Sequence, residues 1–183
     1  MGSDIVAVAR ALDFAARKHS SQRRKGEADE PYVNHLAEVA RLVAEATEGK
    51  DTVAVLAALL HDAIEDTPTT REELEREFGR EVAAIVAEVT DDKGLPKAER
   101  KRLQVESAPG KSLRAKLVKI ADKTSNLRSI VRSPPVGWDL ERQREYFDWS
   151  ARVVAGCRGT NALLERWFDE AHAEGLEALG RRG

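Results

Sequence analysis

Eight consecutive residues, Val53-Ala54-Val55-Leu56-Ala57-Ala58-Leu59-Leu60, carry no polar side chain, and the chain then turns at once to His61-Asp62-Ala63-Ile64-Glu65-Asp66. An all-apolar helical segment of this length belongs in a protein interior and is too short to cross a bilayer. Ending such a helix in one imidazole and three carboxylates is costly unless another charge compensates them. A metal ion is such a compensator. Read as one continuous helix, the segment puts neighbouring residues about 100° apart, so His61 and Asp62 can grip an ion lying between their two directions. Glu65 then sits one turn above His61, and Asp66 one turn above Asp62. Two ligands face the ion, and two free carboxylates lie just beyond, where a hydrolase needs groups that orient a water molecule or move its proton. The competing reading is a solvated acidic helix end running into the loop Thr67-Pro68, and the rest of the chain has to decide between the two by supplying further ligands.

Composition narrows the classes. A chain of 183 residues suffices for one domain with a sizeable core. A net charge of −2 argues against bulk attraction to nucleic acid or to an anionic membrane. The one cysteine, Cys157, excludes an intramolecular disulfide and a cysteine metal cluster. The N-terminus Met1-Gly2-Ser3-Asp4 lacks the basic and apolar regions of a signal peptide, so the cytoplasm is the expected compartment. Of the 4 histidines, His172 lies in an Ala/Glu-rich tail and is expected at the surface. His19 ends the first helix, where a cation suits the helix dipole. His35 and His61 remain as candidate ligands.

Helical spacing dominates the rest. Ile5, Val8, Leu12, Ala15 and Ala16 recur as the inner face of a helix from Ile5 to about His19. A basic loop, Ser20 to Pro31, leads to a second helix from Tyr32 to about Thr47, with Val39, Leu42, Val43 and Ala46 inward and His35 near its start. Asp51 or Thr52 caps the apolar helix. Thr70-x-x-Glu73 is a capping box opening a short helix closed by Phe78-Gly79. Helices follow over Glu81–Asp91, from Pro96 as first residue to about Ser107, and over Ser112–Val131, with Leu113, Leu117, Ile120, Ala121 and Leu127 inward. Two last helices run from about Asp139 to Arg158 and from about Thr160 to Ala178. No stretch alternates at period two. The fold class is all-α, a compact single-domain bundle of roughly eight or more helices with its core between about residues 5 and 178.

Three further features bear on chemistry. His35 can supply a second imidazole. Ile120-Ala121-Asp122-Lys123-Thr124-Ser125-Asn126 sets Asp122 on an otherwise apolar helix face with Asn126 one turn on. The alternatives for Asp122 are an N-terminal-type cap or an ion pair with Lys119 or Lys123. Arg23-Arg24-Lys25 is either a solvated loop or an electrostatic cradle for phosphates and a stacking platform for a base. Together His35, His61, Asp62 and Asp122 form a set of two histidines and two carboxylates. That set suits Mn²⁺, Fe²⁺ or Zn²⁺, and its carboxylate content leans towards Mn²⁺.

This H…HD…D constellation resembles the HD-domain phosphohydrolase superfamily. Gln22-Arg23-Arg24-Lys25, Pro31-Tyr32-Val33-Asn34-His35, Ala58-Leu59-Leu60-His61-Asp62-Ala63-Ile64-Glu65-Asp66-Thr67, Glu88-Val89-Thr90-Asp91-Asp92-Lys93, Glu99-Arg100-Lys101-Arg102-Leu103-Gln104-Val105-Glu106 and Ala115-Lys116-Leu117-Val118-Lys119-Ile120-Ala121-Asp122-Lys123 are similar to the hydrolase domain of SpoT/Rel proteins. Most of all they resemble the stand-alone small alarmone hydrolases of metazoan SpoT homologue type, from about Ala11 to about Asn161. The resemblance implies a Mn²⁺-dependent 3′-pyrophosphohydrolase that converts (p)ppGpp to GDP or GTP and pyrophosphate. By position it makes His35, His61, Asp62 and Asp122 metal ligands, and Glu65 and Asp66 the pair that positions and activates water. Arg24 and Lys25 match the nucleotide-contacting loop, and Asn126 a residue near the ribose and phosphates. Lys97, Arg142 and Tyr146 match phosphate and nucleotide contacts. Leu36 stands where a proline often follows the histidine, and Ala63 replaces a larger residue; neither change removes a reacting group. The chain has no length for the synthetase and regulatory domains of long family members, so alarmone synthesis is not expected. The rival expectations are a phosphatase acting on another ribose phosphate, such as the 2′-phosphate of NADPH, and a non-catalytic nucleotide sensor, which would not need Glu65 and Asp66.

Overall fold

The computed structural model describes residues 2–182. Among them the order is α1 (Gly2–Lys18), α2 (Val33–Ala46), α3 (Thr52–Leu60), α4 (Ala63–Asp66), α5 (Arg71–Phe78), α6 (Arg80–Val89), α7 (Lys97–Ser107), a 3₁₀ turn (Ala108–Gly110), α8 (Leu113–Arg132), α9 (Leu140–Ala155) and α10 (Ala162–Gly180). The architecture is an all-α bundle. Its extended contacts are two isolated bridges, Arg23 with Pro31 and Gly26 with Pro135. No helix of the described residues is long and apolar enough to cross a membrane.

The apolar run is the hub. Asp51 caps α3 by accepting from the Ala54 amide at 3.1 Å, and Arg114 Nε donates to both Asp51 oxygens at 2.9 and 2.8 Å, tying the start of α3 to the start of α8. Ala54 through Leu60 are all buried, and α3 packs against α1, α2, α6 and α8. α8 is the second central element. Its buried stretch Leu117–Ser125 includes Lys119, Asp122 and Lys123, each with a partner: Lys119 Nζ donates to the Val89 carbonyl at 2.9 Å, and Lys123 pairs with Asp122 at 3.0 Å.

Several expectations are corrected. α3 does not run on through the acidic segment. It ends at Leu60, Asp62 turns with φ −99° and ψ 1°, and a single new turn, α4, begins at Ala63. The inner face of α1 is Ala11, Phe14 and Ala15, with Ile5 and Leu12 exposed, because Phe14 docks edge-on against Phe78 at 5.3 Å and that larger contact sets the helix rotation. Leu113 is 69% exposed because it opens α8 beyond the packed part of the bundle. Pro96 precedes α7 as its cap residue, and α6 stops at Val89, leaving Asp91 outside it. Thr70 caps α5 as expected, accepting from the Glu73 amide at 3.2 Å, but the Glu73 carboxylate reaches Lys18 at 3.0 Å. His172 is half-buried, with Phe147 and Phe168 each 5.8 Å away. His19 follows α1 as a buried group: its ring stacks on Tyr32 at 5.3 Å and its Nδ1 lies 2.6 Å from Gln22 Oε1.

Gly175 shows how tightly α10 is seated. It is buried in mid-helix, and a Cβ there would lie 2.1 Å from Phe147 Cε1. Alanine is the better helix former by about 1 kcal/mol, yet overpacking costs about 1–3 kcal/mol. Gly175→Ala is therefore expected to lower the urea-unfolding midpoint. An unchanged or raised midpoint would show that Phe147 can give way freely.

Candidate metal-binding and nucleotide site

The helix break after α3 puts two neighbouring side chains to work at one point. His61 Nδ1 lies 2.8 Å from the Ala58 carbonyl, which can only accept, so that nitrogen carries a hydrogen and Nε2 faces the interior. Asp62 Oδ2 lies 3.1 Å from His61 Nε2 and 3.9 Å from His35 Nε2. Asp122 Oδ1, from α8, lies 3.3 Å from His35 Nε2 and 3.8 Å from His61 Nε2. The four residues expected as ligands thus converge. His35, His61 and Asp62 offer donor atoms all within 4.8 Å of one another. Such spacings suit atoms sharing one ion at bond lengths of about 2.0–2.2 Å. His61 Nε2 is also buried without a hydrogen-bond partner, although a carboxylate oxygen is near, which fits ligands arranged around a common centre rather than bonded to each other.

The electrostatics follow from this packing. Burial disfavours the imidazolium of His61, but Asp62 and Asp122 more than reverse that and push its pKa up to about 9. Burial wins at His35, whose pKa is lowered despite Asp122. Burial alone would raise both aspartates. The His61 charge overrides it at Asp62 and the Lys123 ammonium at Asp122, so both carboxyls are held well below their usual range. Neutral donors complete the shell: Tyr32 OH donates to Asp62 Oδ2 at 2.7 Å, and Asn126 Nδ2 to Asp122 Oδ1 at 2.6 Å.

Glu65 and Asp66 share the wall of a cavity of about 430 Å³ with His61, Asp62 and Asp122. Their surroundings differ. Asp66 is committed at both oxygens: Gln22 Nε2 donates to Oδ2 at 2.8 Å and Lys93 Nζ to Oδ1. Glu65 accepts one bond, from the Asp91 amide at 3.1 Å to Oε2, while Oε1 has Arg100 at 3.8 Å. Burial raises the Glu65 pKa, against that amide and helped by Asp62.

A second cavity of about 310 Å³ adjoins the first, and Lys25, Tyr32, Asp66, Asn126 and Tyr146 line both. Arg24 donates to Asn126 Oδ1 at 2.8 Å, with its guanidinium 5.6 Å from the Tyr32 ring. Lys97 and Arg142 do not line either cavity. They bracket Trp138, which does, with Nζ at 5.8 Å and Cζ at 4.6 Å from its ring. Burial and the nearby Arg142 and Lys25 lower the Lys97 pKa, as crowded cations do. The basic loop is not simply solvated. The Arg24 amide bonds the Glu30 carbonyl, the Val136 amide bonds the Lys25 carbonyl, and the Ala28 amide bonds Ser133 Oγ, each at 2.9 Å. Gly26 permits this clasp, since a Cβ there would sit 2.4 Å from the Ser133 carbonyl oxygen.

Sequence reasoning assigned no role to Tyr32, Gln22, Lys93 or Trp138, and named Lys123 only as an alternative ion-pair partner of Asp122, the contact it makes at 3.0 Å. Tyr32, Gln22, Lys93 and Lys123 sit beside the expected site residues, so proximity to the motifs was a usable signal. For Trp138 the sequence carried none.

Residues 11–146 match the HD domain family. The chain belongs to the HD-domain family. Among its relatives are the guanosine-3′,5′-bis(diphosphate) 3′-pyrophosphohydrolases MESH1 of Xenopus tropicalis and Homo sapiens. The Xenopus protein is 53% identical over 92% of this chain and 94% of its own length, and the human protein 54% identical over 90% and 92%. The solved structure of a metazoan ortholog of SpoT, which hydrolyzes ppGpp and plays a role in starvation responses, superposes with a TM-score of 0.88 at 46% identity, covering 92% of this chain and 94% of that one. Within the HD-domain family a divalent metal is expected, and the donor set described above fits one.

Loading that metal has a proton signature. Metal ligands must be deprotonated. With its pKa pushed up to about 9, metal-free His61 carries a proton near neutral pH, and a divalent cation bound at its Nε2 is expected to displace it. Affinity should rise with pH and level off above about 9. Calorimetric titration in buffers of different ionisation enthalpy should report release of about one proton; a heat independent of buffer would contradict this.

Proposed function

We propose that the chain is a metal-dependent (p)ppGpp 3′-pyrophosphohydrolase, releasing pyrophosphate with GDP or GTP, and that residues 1–183 act as a single HD hydrolase domain in the cytoplasm. The observation that carries this reading is the junction of two cavities at Asp66, Lys25 and Asn126, one holding the metal-ligand set with Glu65, the other walled by cations and aromatic rings. A nucleotide lying across that junction puts its 3′-diphosphate by the ligands and its base by Trp138 and Tyr146. A sensor would have no use for the half-buried pair Glu65 and Asp66. The net charge of −2 also fits a small-molecule partner better than nucleic acid or a membrane surface.

His35, His61, Asp62 and Asp122 would hold the ion, and their nitrogen and oxygen donors favour Mn²⁺, with Fe²⁺ or Zn²⁺ compatible. Such an ion supplies Lewis-acid polarisation of a phosphoryl oxygen and acidifies water. The protein's own groups do the rest. Asp66, fixed at both oxygens by Gln22 and Lys93, orients the attacking water. Glu65, with a less engaged carboxylate and a raised pKa, takes its proton. The oxygen adds to the phosphorus bonded to ribose O3′, the P–O3′ bond breaks, pyrophosphate leaves with the new oxygen, and the 3′-oxygen of GDP or GTP takes up a proton. Lys25, between the two cavities, offsets charge developing on the phosphate. Arg24 and Asn126 position the ribose end, while Lys97 and Arg142 flank the base platform and attract the 5′-phosphates.

Purified protein with ppGpp and Mn²⁺ should yield GDP and pyrophosphate on ion-exchange chromatography, and a chelator or His61→Ala should abolish both products. Turnover of NADPH but not ppGpp, run in parallel, would move the proposal to another ribose phosphate. Glu65→Ala should retain Mn²⁺ while kcat falls about 100-fold or more, the usual cost of losing a general base. Full kcat in that variant would remove Glu65 from its role.

A further inference from the structure

His35 faces the metal-ligand set with one nitrogen and away from it with the other. Behind it, Nδ1 lies 2.9 Å from Ser125 Oγ, and Ser125 Oγ lies 2.8 Å from Glu38 Oε2. Glu38 is three residues after His35 on α2, and Ser125 three residues after Asp122 on α8. Each therefore shares a helix face with a ligand residue. The hydrogens in this chain are determined. A hydroxyl has one hydrogen, and a carboxylate can only accept. Ser125 donates to Glu38 and presents a lone pair to His35, so Nδ1 must carry the imidazole hydrogen. That leaves the lone pair on Nε2, the nitrogen 3.3 Å from Asp122 Oδ1 and 3.9 Å from Asp62 Oδ2. Arg132 bonds the same Glu38 oxygen at 3.2 Å and Arg128 approaches the other at 3.7 Å, which fixes the carboxylate against α8. Nothing in the reaction outlined above uses Glu38, Ser125, Arg128 or Arg132.

We infer that Glu38 and Ser125 are positioning residues that hold His35 in its Nδ1–H tautomer and fix its ring, so that Nε2 is ready to bind a divalent cation. The inference rests on the metal-site reading of the preceding subsection. His61 reaches the same tautomer by a different route, through the Ala58 carbonyl of its own helix. The two imidazoles are thus set independently, one by backbone and one by side chains from two helices. Partners of this kind behind a metal-bound histidine are worth about 10–100-fold in metal affinity.

The test pairs a measurement that needs no metal with one that does. In metal-free wild-type protein, ¹⁵N histidine spectra should show His35 as the Nδ1–H tautomer, and Ser125→Ala and Glu38→Ala should both mix in the Nε2–H form. Glu38→Gln keeps an acceptor oxygen for Ser125 and should restore the wild-type spectrum, a rescue that a role in packing alone would not produce. Mn²⁺ titration followed by electron paramagnetic resonance should show about 10–100-fold weaker binding in the two alanine variants. A wild-type His35 in the Nε2–H form, or alanine variants with unchanged tautomer and unchanged Mn²⁺ affinity, would overturn the inference. If wild-type protein binds none of Mn²⁺, Fe²⁺ and Zn²⁺, the metal-site reading fails, while the tautomer spectra still decide whether Glu38 and Ser125 set His35. Glu38 is half-buried at the edge of α2, so its variants keep the test open if Ser125→Ala does not fold.

Discussion

Two imidazole nitrogens and two carboxylate oxygens stand 3.1–3.9 Å apart in the interior of this helical bundle. Desolvating even one such ion carries an effective penalty of several kcal/mol. The surrounding structure answers that penalty piece by piece. Lys123 lies against Asp122, Tyr32 and Asn126 donate to the two aspartates, and the Ala58 carbonyl holds His61 from behind. What these partners leave open is the space between the four residues' own nitrogen and oxygen atoms, and the orphaned Nε2 of His61 marks it. The uniformly apolar α3 makes sense in the same terms: it is a rigid, dry post that delivers His61 and Asp62 to a fixed point between α2 and α8.

The acidic pair beyond the ligands is divided by its neighbours and not by its own chemistry. Asp66 is pinned by Gln22 from the basic loop and by Lys93, whereas Glu65 keeps capacity to accept a proton. The loop that pins Asp66 also carries Arg24 and Lys25. It is itself fastened to residues 133–136 through Gly26, whose missing side chain lets the two backbones meet. One clasp thus both holds the Asp66 carboxylate, through Gln22, and carries the cations Arg24 and Lys25.

Much of this was legible from residue types. The capped apolar helix, the helical periods of α2, α6 and α8, and the set His35, His61, Asp62 and Asp122 all follow from local pattern and from the rule that buried charge demands a partner. The misreadings fall where packing overrides local pattern. Ile5 and Leu12 have the right spacing for a core face, but Phe14 against Phe78 turns α1 away from it. His172 sits in a polar tail, yet faces two phenylalanines.

The sequence by itself determined the helical class and which residue types could form the candidate site, because hydrophobic period and side-chain chemistry are read directly from the residues. Only the tertiary structure decided which groups meet. The break at Asp62, which parts His61 and Asp62 from Glu65 and Asp66, is fixed by what packs around it, and the chain from Glu38 through Ser125 to His35 and the place of Trp138 beside the cavity join residues dozens of positions apart. Their distances are set by how α2, α3 and α8 pack, and helix packing depends on the whole interior at once, not on any local run of residues.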